Sequence, residues 1–299
     1  SEISSMSGKD LKHAWLRWFD HAVGAVIDKL EEKGKLDNTL IIITSDHGDF
    51  NKAKATNYEG GIKVPLMMYW KDGIVSSGTY DELVQNIDFG PTFLDIAGVD
   101  ITNTDMDGKS LKQVLVNNSQ EPIHDYLFFE LGYSRAIRTK DWKYVTVRYT
   151  DAINEQIANG QTFNGPNQTQ VPLPYYIPNV SLGSLAANQY PLYNVKDQLF
   201  DLNSDPYETI NLFNSEPEKA TELRTILRTE LLSFPQRPYQ EFTDTSIDLT
   251  VSNQTTSIIG KVLTGYQGWF NSDSDGSNLD WKHYKTASGA FEPGEVTID

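Results

Sequence analysis

Residues 40–49 read LIIITSDHGD, a short apolar run followed directly by a polar turn. Its first five residues are apolar or β-branched without alternation, which predicts a short strand buried on both faces, as in a parallel sheet. A polar turn of Ser45, Asp46 and His47 follows directly, and Gly48 permits a sharp change of direction. Ligands of open α/β sheets bind beyond the carboxyl ends of the strands. The stretch therefore predicts a strand that delivers polar side chains to a site.

The neighbouring segments predict a layered α/β domain. Apolar residues recur every three or four positions in residues 10–33, which predicts a helix that ends at Gly34. A second apolar run, residues 64–70, predicts another strand, and residues 82–97 predict a helix broken by Pro91. A helix followed by a buried strand is typical of α/β domains.

Further along the chain the pattern changes to that of a small antiparallel sheet. Residues 126–147 contain three short strand-like runs, residues 198–202 predict one more strand, and residues 216–232 predict a helix. Residues 151–194 are rich in Asn, Gln and Pro and only weakly periodic, which predicts a long surface insertion. The second half is therefore expected to form an α+β subdomain.

Composition excludes several classes of function. The 299 residues carry 25 Lys and Arg against 41 Asp and Glu, a net charge of −16, which disfavours nucleic acid and anionic membranes as partners. The absence of Cys excludes disulfides, thiolate metal sites and a cysteine nucleophile within these residues. No apolar run approaches the ~20 residues of a membrane-spanning helix. An anionic substrate would need local cations or a metal.

Two neighbouring segments hold the candidate functional residues. Asp46 and His47 are candidate metal ligands, because a carboxylate oxygen and an imidazole nitrogen can bind one divalent ion. Residues 54–65, KATNYEGGIKVP, follow shortly after and begin with the candidate anion-binding Lys54. Glu59 and Lys63 in the same segment are expected to have structural roles. His124, which precedes a predicted strand, either packs in the core or faces a substrate.

This pair of segments resembles the C-terminal half of a type I sulfatase, in the alkaline-phosphatase superfamily. That family has a strand ending in Ser-Asp-(His or Asn)-Gly, followed by Lys-x-Thr-x-Tyr-Glu-Gly-Gly-(Ile or Val)-Arg-Val-Pro, where this chain has Lys63 in place of Arg. Further similar motifs follow in the family's order over residues 10–235. They are NIDFGPT at 86–92, DGKSL at 107–111, RAIRT at 135–139, WK at 142–143, LFDL at 199–202 and DPYET at 205–209.

The resemblance implies a layered, alkaline-phosphatase-like α/β core followed by a small α+β subdomain with an antiparallel sheet. It implies a sulfuric ester hydrolase acting on a sulfated carbohydrate. Asp46 and His47 would be ligands of a divalent metal, usually calcium, and Lys54 would contact the sulfate oxygens. The family's nucleophile, a formylglycine made from Cys or Ser, lies upstream of the metal-binding Asp, so the N-terminal half of the enzyme would be required. The isolated chain is therefore expected to be inactive, and the resemblance implies a periplasmic or secreted enzyme.

Two other functions remain open from the sequence. A phosphodiesterase or phosphonate monoester hydrolase of the same superfamily shares the Ser-Asp-His-Gly strand end, but a two-zinc site needs a further His, for which His124 and His283 remain. A non-catalytic carbohydrate-binding remnant of the fold is the third reading. The retained Asp46, His47 and Lys54 favour the enzyme.

The last part of the chain resembles something else. Residues 243–257 are polar and predict a linker. Residues 262–299, with VLTGYQGWF at 262–270, resemble the start of an endo-α-mannosidase-like glycoside hydrolase domain, and the alternative is an aromatic hairpin. The expected organisation is a part of the sulfatase core at 1–120, its C-terminal subdomain at 121–240, and a linker with the start of a glycosidase at 241–299.

Overall fold

A computed structural model describes residues 9–48, 53–164, 170–174, 176, 186–187 and 189–233, and two short strands near the C-terminus. Helix α1 spans Lys9–Glu32, as predicted. It ends where predicted, because Gly34 adopts a left-handed backbone with φ of 62° and its N–H donates to the carbonyl of Glu31.

Strand β1, Ile41–Thr44, pairs antiparallel with β2, Leu66–Tyr69, with Ile42 opposite Met68. The predicted parallel environment with both faces buried is therefore wrong for the described part of the chain. Residues 41–43 are only partly buried and Thr44 is exposed. An apolar run indicates that a strand requires cover, but it does not reveal which chain segment supplies that cover.

Among the described residues between β1 and residue 126 lie four helical elements. They are α2, Glu59–Ile62; a 3₁₀ helix, Asn86–Asp88; α3, Phe89–Ile96; and α4, Lys112–Asn117. The predicted break at Pro91 is wrong. Pro91 lies in the first turn of α3, where a backbone N–H has no partner within the helix, so the missing donor costs nothing.

The predicted antiparallel sheet is confirmed as four strands in the order β3-β4-β5-β8. The strands are β3, Tyr126–Leu131; β4, Ser134–Thr139; β5, Trp142–Val147; and β8, Asp197–Asp201. Between β5 and β8 lie α5, Asp151–Ala158, and the short strands β6, Phe163–Asn164, and β7, Gln170–Val171. Helix α6, Pro217–Ser233, follows the sheet and confirms the predicted helix.

Each face of this sheet is covered by a different layer. Alternating residues such as Ile137, Tyr144 and Leu199 pack against the buried side of α6, which includes Leu223 and Leu227. The opposite face packs against the segment that carries Lys54 and against residues of the insertion. The buried residues of this second layer are Ala53, Tyr58, Tyr176, Ala186, Tyr190 and Tyr193. Successive side chains along each strand point to opposite faces of the sheet, so they alternate between the two cores.

The insertion at 151–194 is therefore not confined to the surface. Tyr176 and Tyr193 stack with ring centroids 3.9 Å apart, and Tyr190 stacks on Tyr58 at 4.3 Å. A weakly periodic sequence conceals this role, because each tyrosine contributes area singly and without a helical or strand repeat.

Helix α1 exposes much of the face that the sequence predicts to be buried. Trp15, Trp18 and Phe19 of that face are 57%, 67% and 48% exposed, and Val26 is also exposed. Leu16, on another side of the helix, is exposed as well. In the described residues, no helix combines the length and apolar character needed to cross a bilayer.

The chain divides into two units, Ser1–Ile259 and Gly260–Asp299. In the second unit the structure describes only β9, Tyr284–Lys285, and β10, Thr297–Ile298, which pair antiparallel. The linker at 243–257, His283 and most of the mannosidase-like tail lie outside the described residues.

Candidate functional site

Asp46 and His47 form a turn directly after β1, as the sequence predicts. His47 Nε2 lies 3.5 Å from Asp46 Oδ2, and His47 Nδ1 lies 2.8 Å from the carbonyl oxygen of Gly48. A carbonyl oxygen only accepts, so Nδ1 carries the proton in this hydrogen bond. In a neutral imidazole the lone pair then lies on Nε2, on the side of the Asp46 carboxylate. One oxygen and one nitrogen donor therefore lie side by side.

The electrostatics of this turn favour the ionised form of Asp46. Burial alone would raise the pKa of Asp46, but the neighbouring His47 and the hydrogen bonds from the His47 N–H and the Ser45 hydroxyl lower that pKa below its usual value. The side chain remains 40% exposed. Asp46 is therefore an accessible carboxylate that is available as a ligand.

Lys54 lies half-buried in a segment that the backbone holds tightly. Its neighbours Ala53 and Thr56 are buried, and the Thr56 hydroxyl donates to the carbonyl of Ala53 at 2.6 Å and accepts from the N–H of Tyr58. Ala55 has φ of 62°, a left-handed conformation that is unfavourable for a residue with a Cβ atom. Such strain is often found at functional sites.

Helix α2 brings the two candidate segments into contact. The N–H of Gly48 donates to the carbonyl of Gly61 at 2.9 Å, so the turn after β1 is bonded to α2. A Cβ atom on Gly61 would lie 2.3 Å from the carbonyl oxygen of Ala53, and one on Gly48 would lie 2.4 Å from that of Gly60. These close backbone approaches explain the glycines of the segment Tyr-Glu-Gly-Gly, and they hold Asp46 and Lys54 on segments that contact one helix.

Glu59, the first residue of α2, enters a buried cluster of charges that sequence reasoning missed. Its partners are Arg138 on β4, Lys143 on β5 and Glu208 in the turn after β8. The only sequence signal was that these residues fall within the family-like motifs RAIRT, WK and DPYET. This position of Glu59 agrees with the structural role expected for it, and Lys63 is exposed.

His124 is held in the core. His124 Nε2 lies 2.9 and 3.0 Å from the two carboxylate oxygens of Asp88, and both residues are buried. Asp88 also accepts from the backbone N–H groups of Gln85 and Lys109. The pair joins the 3₁₀ helix to the loop before β3, which favours the core reading of His124 over a substrate-facing one.

The donor set at Asp46 and His47 fits part of a metal site. Calcium takes about six to eight oxygen ligands, so two side chains do not complete its shell. Within the residues that the structure describes, no group of three or more His, Cys, Asp or Glu is placed to hold a metal ion. The turn could therefore supply two ligands, and the remaining ligands would have to come from elsewhere.

Residues 13–99 match the Sulfatase family model. The matched region contains the Asp46–His47 turn, Lys54 and α2. The chain is also 29% identical to arylsulfatase A of Bos taurus over 231 residues, 71% of this chain and 41% of the relative. It is 34% identical to the N-acetylglucosamine-6-O-sulfatase of Bacteroides thetaiotaomicron over 142 residues, 42% of this chain and 25% of the relative. These similarities support the type I sulfatase superfamily.

A solved structure agrees with the fold. A protein in complex with its substrate D-glucosamine-2-N,6-O-disulfate superimposes with a TM-score of 0.50 at 23% identity, covering 77% of this chain and 43% of that one. This likeness confirms the predicted α/β, alkaline-phosphatase-like fold class. The chain spans 41% and 25% of the lengths of the two curated relatives.

Proposed function

We propose that this chain is the C-terminal part of a sulfatase that hydrolyses sulfate esters on a carbohydrate. The contact of α2 with both candidate segments carries the proposal, because it keeps the Asp46–His47 turn and the Lys54 segment adjacent. Sulfate transfer develops charge on the sulfate oxygens, and a fixed ammonium group stabilises such charge. The carbohydrate is inferred from the relative that is named as an N-acetylglucosamine-6-O-sulfatase.

Each residue then has a defined role. Asp46 and His47 Nε2 would hold a divalent ion, for which calcium is the family's usual choice, and a bound ion polarises an ester oxygen. Lys54 neutralises the oxygens of the bound sulfate, and the backbone around Ala55 fixes the direction of its side chain. The Nδ1–H of His47, bonded to the Gly48 carbonyl, keeps the ring in one orientation.

We further propose that the nucleophile, a formylglycine, lies in sequence upstream of Ser1, in a periplasmic or secreted enzyme. The exposed Trp15, Trp18 and Phe19 on one face of α1 support this proposal, since an aromatic face of that size is expected to be covered by protein. The chain's share of its relatives' length is consistent with a missing partner region.

The test compares the complete gene product with this chain. We expect the complete protein to hydrolyse 6-O-sulfated N-acetylglucosamine or an aryl sulfate when calcium is present, and the 299-residue chain to show no turnover. Replacing Lys54 by Ala should lower kcat/KM by about 10²–10³-fold, the usual effect of removing one oxyanion-stabilising donor. Lys71→Ala, an exposed lysine paired with Asp37, is the matched control and should change kcat/KM little.

Three outcomes would contradict the proposal. Turnover by the 299-residue chain alone would refute an upstream nucleophile. Faster hydrolysis of a phosphodiester or phosphonate monoester than of any sulfate ester would favour the related hydrolases, although the burial of His124 against Asp88 argues against its use as a zinc ligand. Calorimetric binding of a sulfated sugar by a complete protein that shows no hydrolysis would favour a carbohydrate-binding remnant.

We also propose that residues 262–299 begin a glycoside hydrolase domain, so that one polypeptide would remove sulfate and cut the glycan. The resemblance at 262–270 alone supports this idea. A (β/α)₈ barrel takes about 250 residues, so the coding sequence downstream of Asp299 should continue for that length. A stop codon directly after Asp299 would refute it.

A further inference from the structure

We infer that Lys143 and Glu208, in the C-terminal subdomain, are positioning residues for the anion site at Lys54. They act through Glu59 and α2, and they touch neither Lys54 nor a substrate. The inference rests on the proposed function, because it assumes that Lys54 binds sulfate. It gives residues of the antiparallel sheet a role in positioning the site.

The contacts are direct and buried. Lys143 is fully buried, and its Nζ lies 3.2 Å from Glu59 Oε1 and 2.9 Å from Glu208 Oε1. The other carboxylate oxygen of Glu208 accepts the backbone N–H of Glu59 at 2.6 Å. Arg138 Nε approaches Glu59 Oε1 at 3.5 Å. Glu59 is therefore bound by its side chain and by its backbone.

Lys143 is the cation shared by both carboxylates, so it is the member on which the cluster depends most. Two carboxylates, Glu59 and Glu208, face two cations, Arg138 and Lys143. A buried charge is tolerated only when it is paired, and removing one partner leaves the other uncompensated. The loss of Lys143 is thus expected to displace the two carboxylates, and Glu59 is the member that belongs to α2.

Two neighbours of Glu59 bind the same sheet. Asn57 Nδ2 donates to the Ser134 hydroxyl on β4 at 3.1 Å, and the Tyr58 hydroxyl donates to Gln198 Oε1 on β8 at 2.8 Å. With Glu59 bound to Lys143 on β5, three consecutive side chains contact three different strands. Residues 57–59, which follow Lys54 in the chain, are therefore attached to the sheet.

This attachment reaches Lys54 through close backbone packing. Gly61 of α2 approaches the carbonyl of Ala53, the residue before Lys54, so closely that no Cβ atom would fit. A shift of α2 must consequently move the backbone on which Lys54 stands. Displacing a charged group by about 1 Å can cost a site roughly 10²-fold in function.

A matched control lies in the same sheet. The buried Arg148 forms an ion pair at 2.7 Å with the partly buried Asp197, and this pair joins the end of β5 to the start of β8 without including α2. Replacing Arg148 by Met therefore tests whether any damage to a buried ion pair in this sheet disturbs Lys54.

The experiment uses the complete gene product with calcium, and inorganic sulfate as the probe. Acylation of Lys54 by an amine-specific reagent is followed by peptide mass spectrometry at increasing sulfate concentration. Hydrogen exchange of residues 53–62 is measured without sulfate, at a temperature where every variant is folded. The variants are Lys143→Met, Glu208→Ala, Glu208→Gln and Arg148→Met.

We expect Lys143→Met and Glu208→Ala to raise the half-protecting sulfate concentration by about tenfold or more. The same two variants should accelerate exchange in residues 53–62. Glu208→Gln keeps an acceptor for the Glu59 N–H and should restore most of the protection that Glu208→Ala loses. Arg148→Met should leave both readouts near those of the unmodified chain.

Three results would overturn the inference. An effect of Arg148→Met equal to that of Lys143→Met would show general loosening of the sheet. Unchanged exchange in residues 53–62 of Lys143→Met would show that the cluster does not hold the segment. If Glu208→Gln loses as much sulfate protection as Glu208→Ala, the hydrogen bond from the Glu59 N–H to Glu208 does not position the site. If sulfate fails to protect Lys54 in the unmodified complete protein, the proposed anion role fails, and hydrogen exchange still decides whether the cluster holds residues 53–62.

Discussion

Ala55 shows at the residue scale how a functional segment is held in a costly conformation. Its φ of 62° places the Cβ atom against the backbone, which costs about 1–2 kcal/mol. The sequence gives no sign of this strain, because Lys-Ala-Thr is an ordinary tripeptide. By contrast, the position of Asp46 and His47 in a turn directly after β1 follows from a local pattern that needs no tertiary information.

Replacing Ala55 by Gly should raise the free energy of unfolding by up to about 1 kcal/mol, because the steric penalty disappears and only part of the gain is lost to the more flexible unfolded chain. The matched substitution Ala97→Gly, at a residue with φ of −72°, should lower that free energy by about 0.5–1 kcal/mol. Urea unfolding of both variants measures whether the free energy of unfolding rises or falls in each. A loss of stability in Ala55→Gly would contradict the assignment of strain.

Glu59 should make stability depend on pH. Burial would raise the pKa of Glu59, but Lys143 and Arg138 hold it below its usual value. A lowered folded-state pKa stabilises the protein above the unfolded-state pKa of about 4.3 and loses this contribution as the pH falls through the folded-state value.

The difference in unfolding free energy between the unmodified chain and Glu59→Gln should therefore be largest near neutral pH and shrink below about pH 4.3. Denaturant titrations at a series of pH values measure it. Burial raises the pKa of the neighbouring Glu208, and the Lys143 charge offsets part of that rise, so Glu208→Gln should show the opposite trend. A difference that does not vary with pH would contradict the charge assignment of Glu59.

At the scale of elements, α2 has an influence out of proportion to its four residues. Hydrophobic periodicity cannot detect so short a helix, and its fit depends on Gly61 meeting a carbonyl from another segment. Longer elements such as α1 and α6 follow from periodicity alone. The error at Pro91 has the same origin as the omission of α2, since both depend on where a helix begins.

Gly61→Ala should cost about 1–3 kcal/mol of stability, because a Cβ atom would lie 2.3 Å from the Ala53 carbonyl oxygen and 2.8 Å from that of Thr56. Gly24→Ala is the matched control. Gly24 lies within α1 with nothing within 4 Å of its Cβ position, so alanine there should add about 0.5–1 kcal/mol through helix propensity. Thermal unfolding compares the two, and a stabilised Gly61→Ala would refute the close packing.

At the scale of the whole molecule, burial is unevenly distributed. The antiparallel sheet has a core on each face, whereas α1 exposes Trp15, Leu16, Trp18 and Phe19. The sequence pattern predicts that Trp15, Trp18 and Phe19 are buried, and among the described residues of this chain they are exposed. It could not identify the cover, because an apolar stripe carries no information about its partner. The burial of the insertion's tyrosines was missed because their sequence has no periodic apolar pattern. They are buried by stacking on partners such as Tyr58, which the local sequence does not reveal.

Charged substitutions on α1 should distinguish this chain from the complete protein. Trp15→Lys together with Trp18→Lys should change the stability of the 299-residue chain by about 0.5 kcal/mol or less, as for exposed positions, and should reduce its binding of an apolar dye. In the complete protein the same pair should destabilise strongly if upstream sequence covers the face. Equal, small effects in both proteins would contradict that cover.

The attachment of α2 to the distant turn at Glu208 also fixes when the site can form during synthesis. The two residues joined by the hydrogen bond from Glu59 to Glu208 are separated by 149 positions. At about 5–20 residues per second, a ribosome needs roughly 7–30 s to travel from one to the other. The Lys54 segment thus leaves the ribosome long before Glu208 exists, and a nascent chain interrupted before Glu208 would lack the hydrogen bond that this residue accepts from the Glu59 N–H.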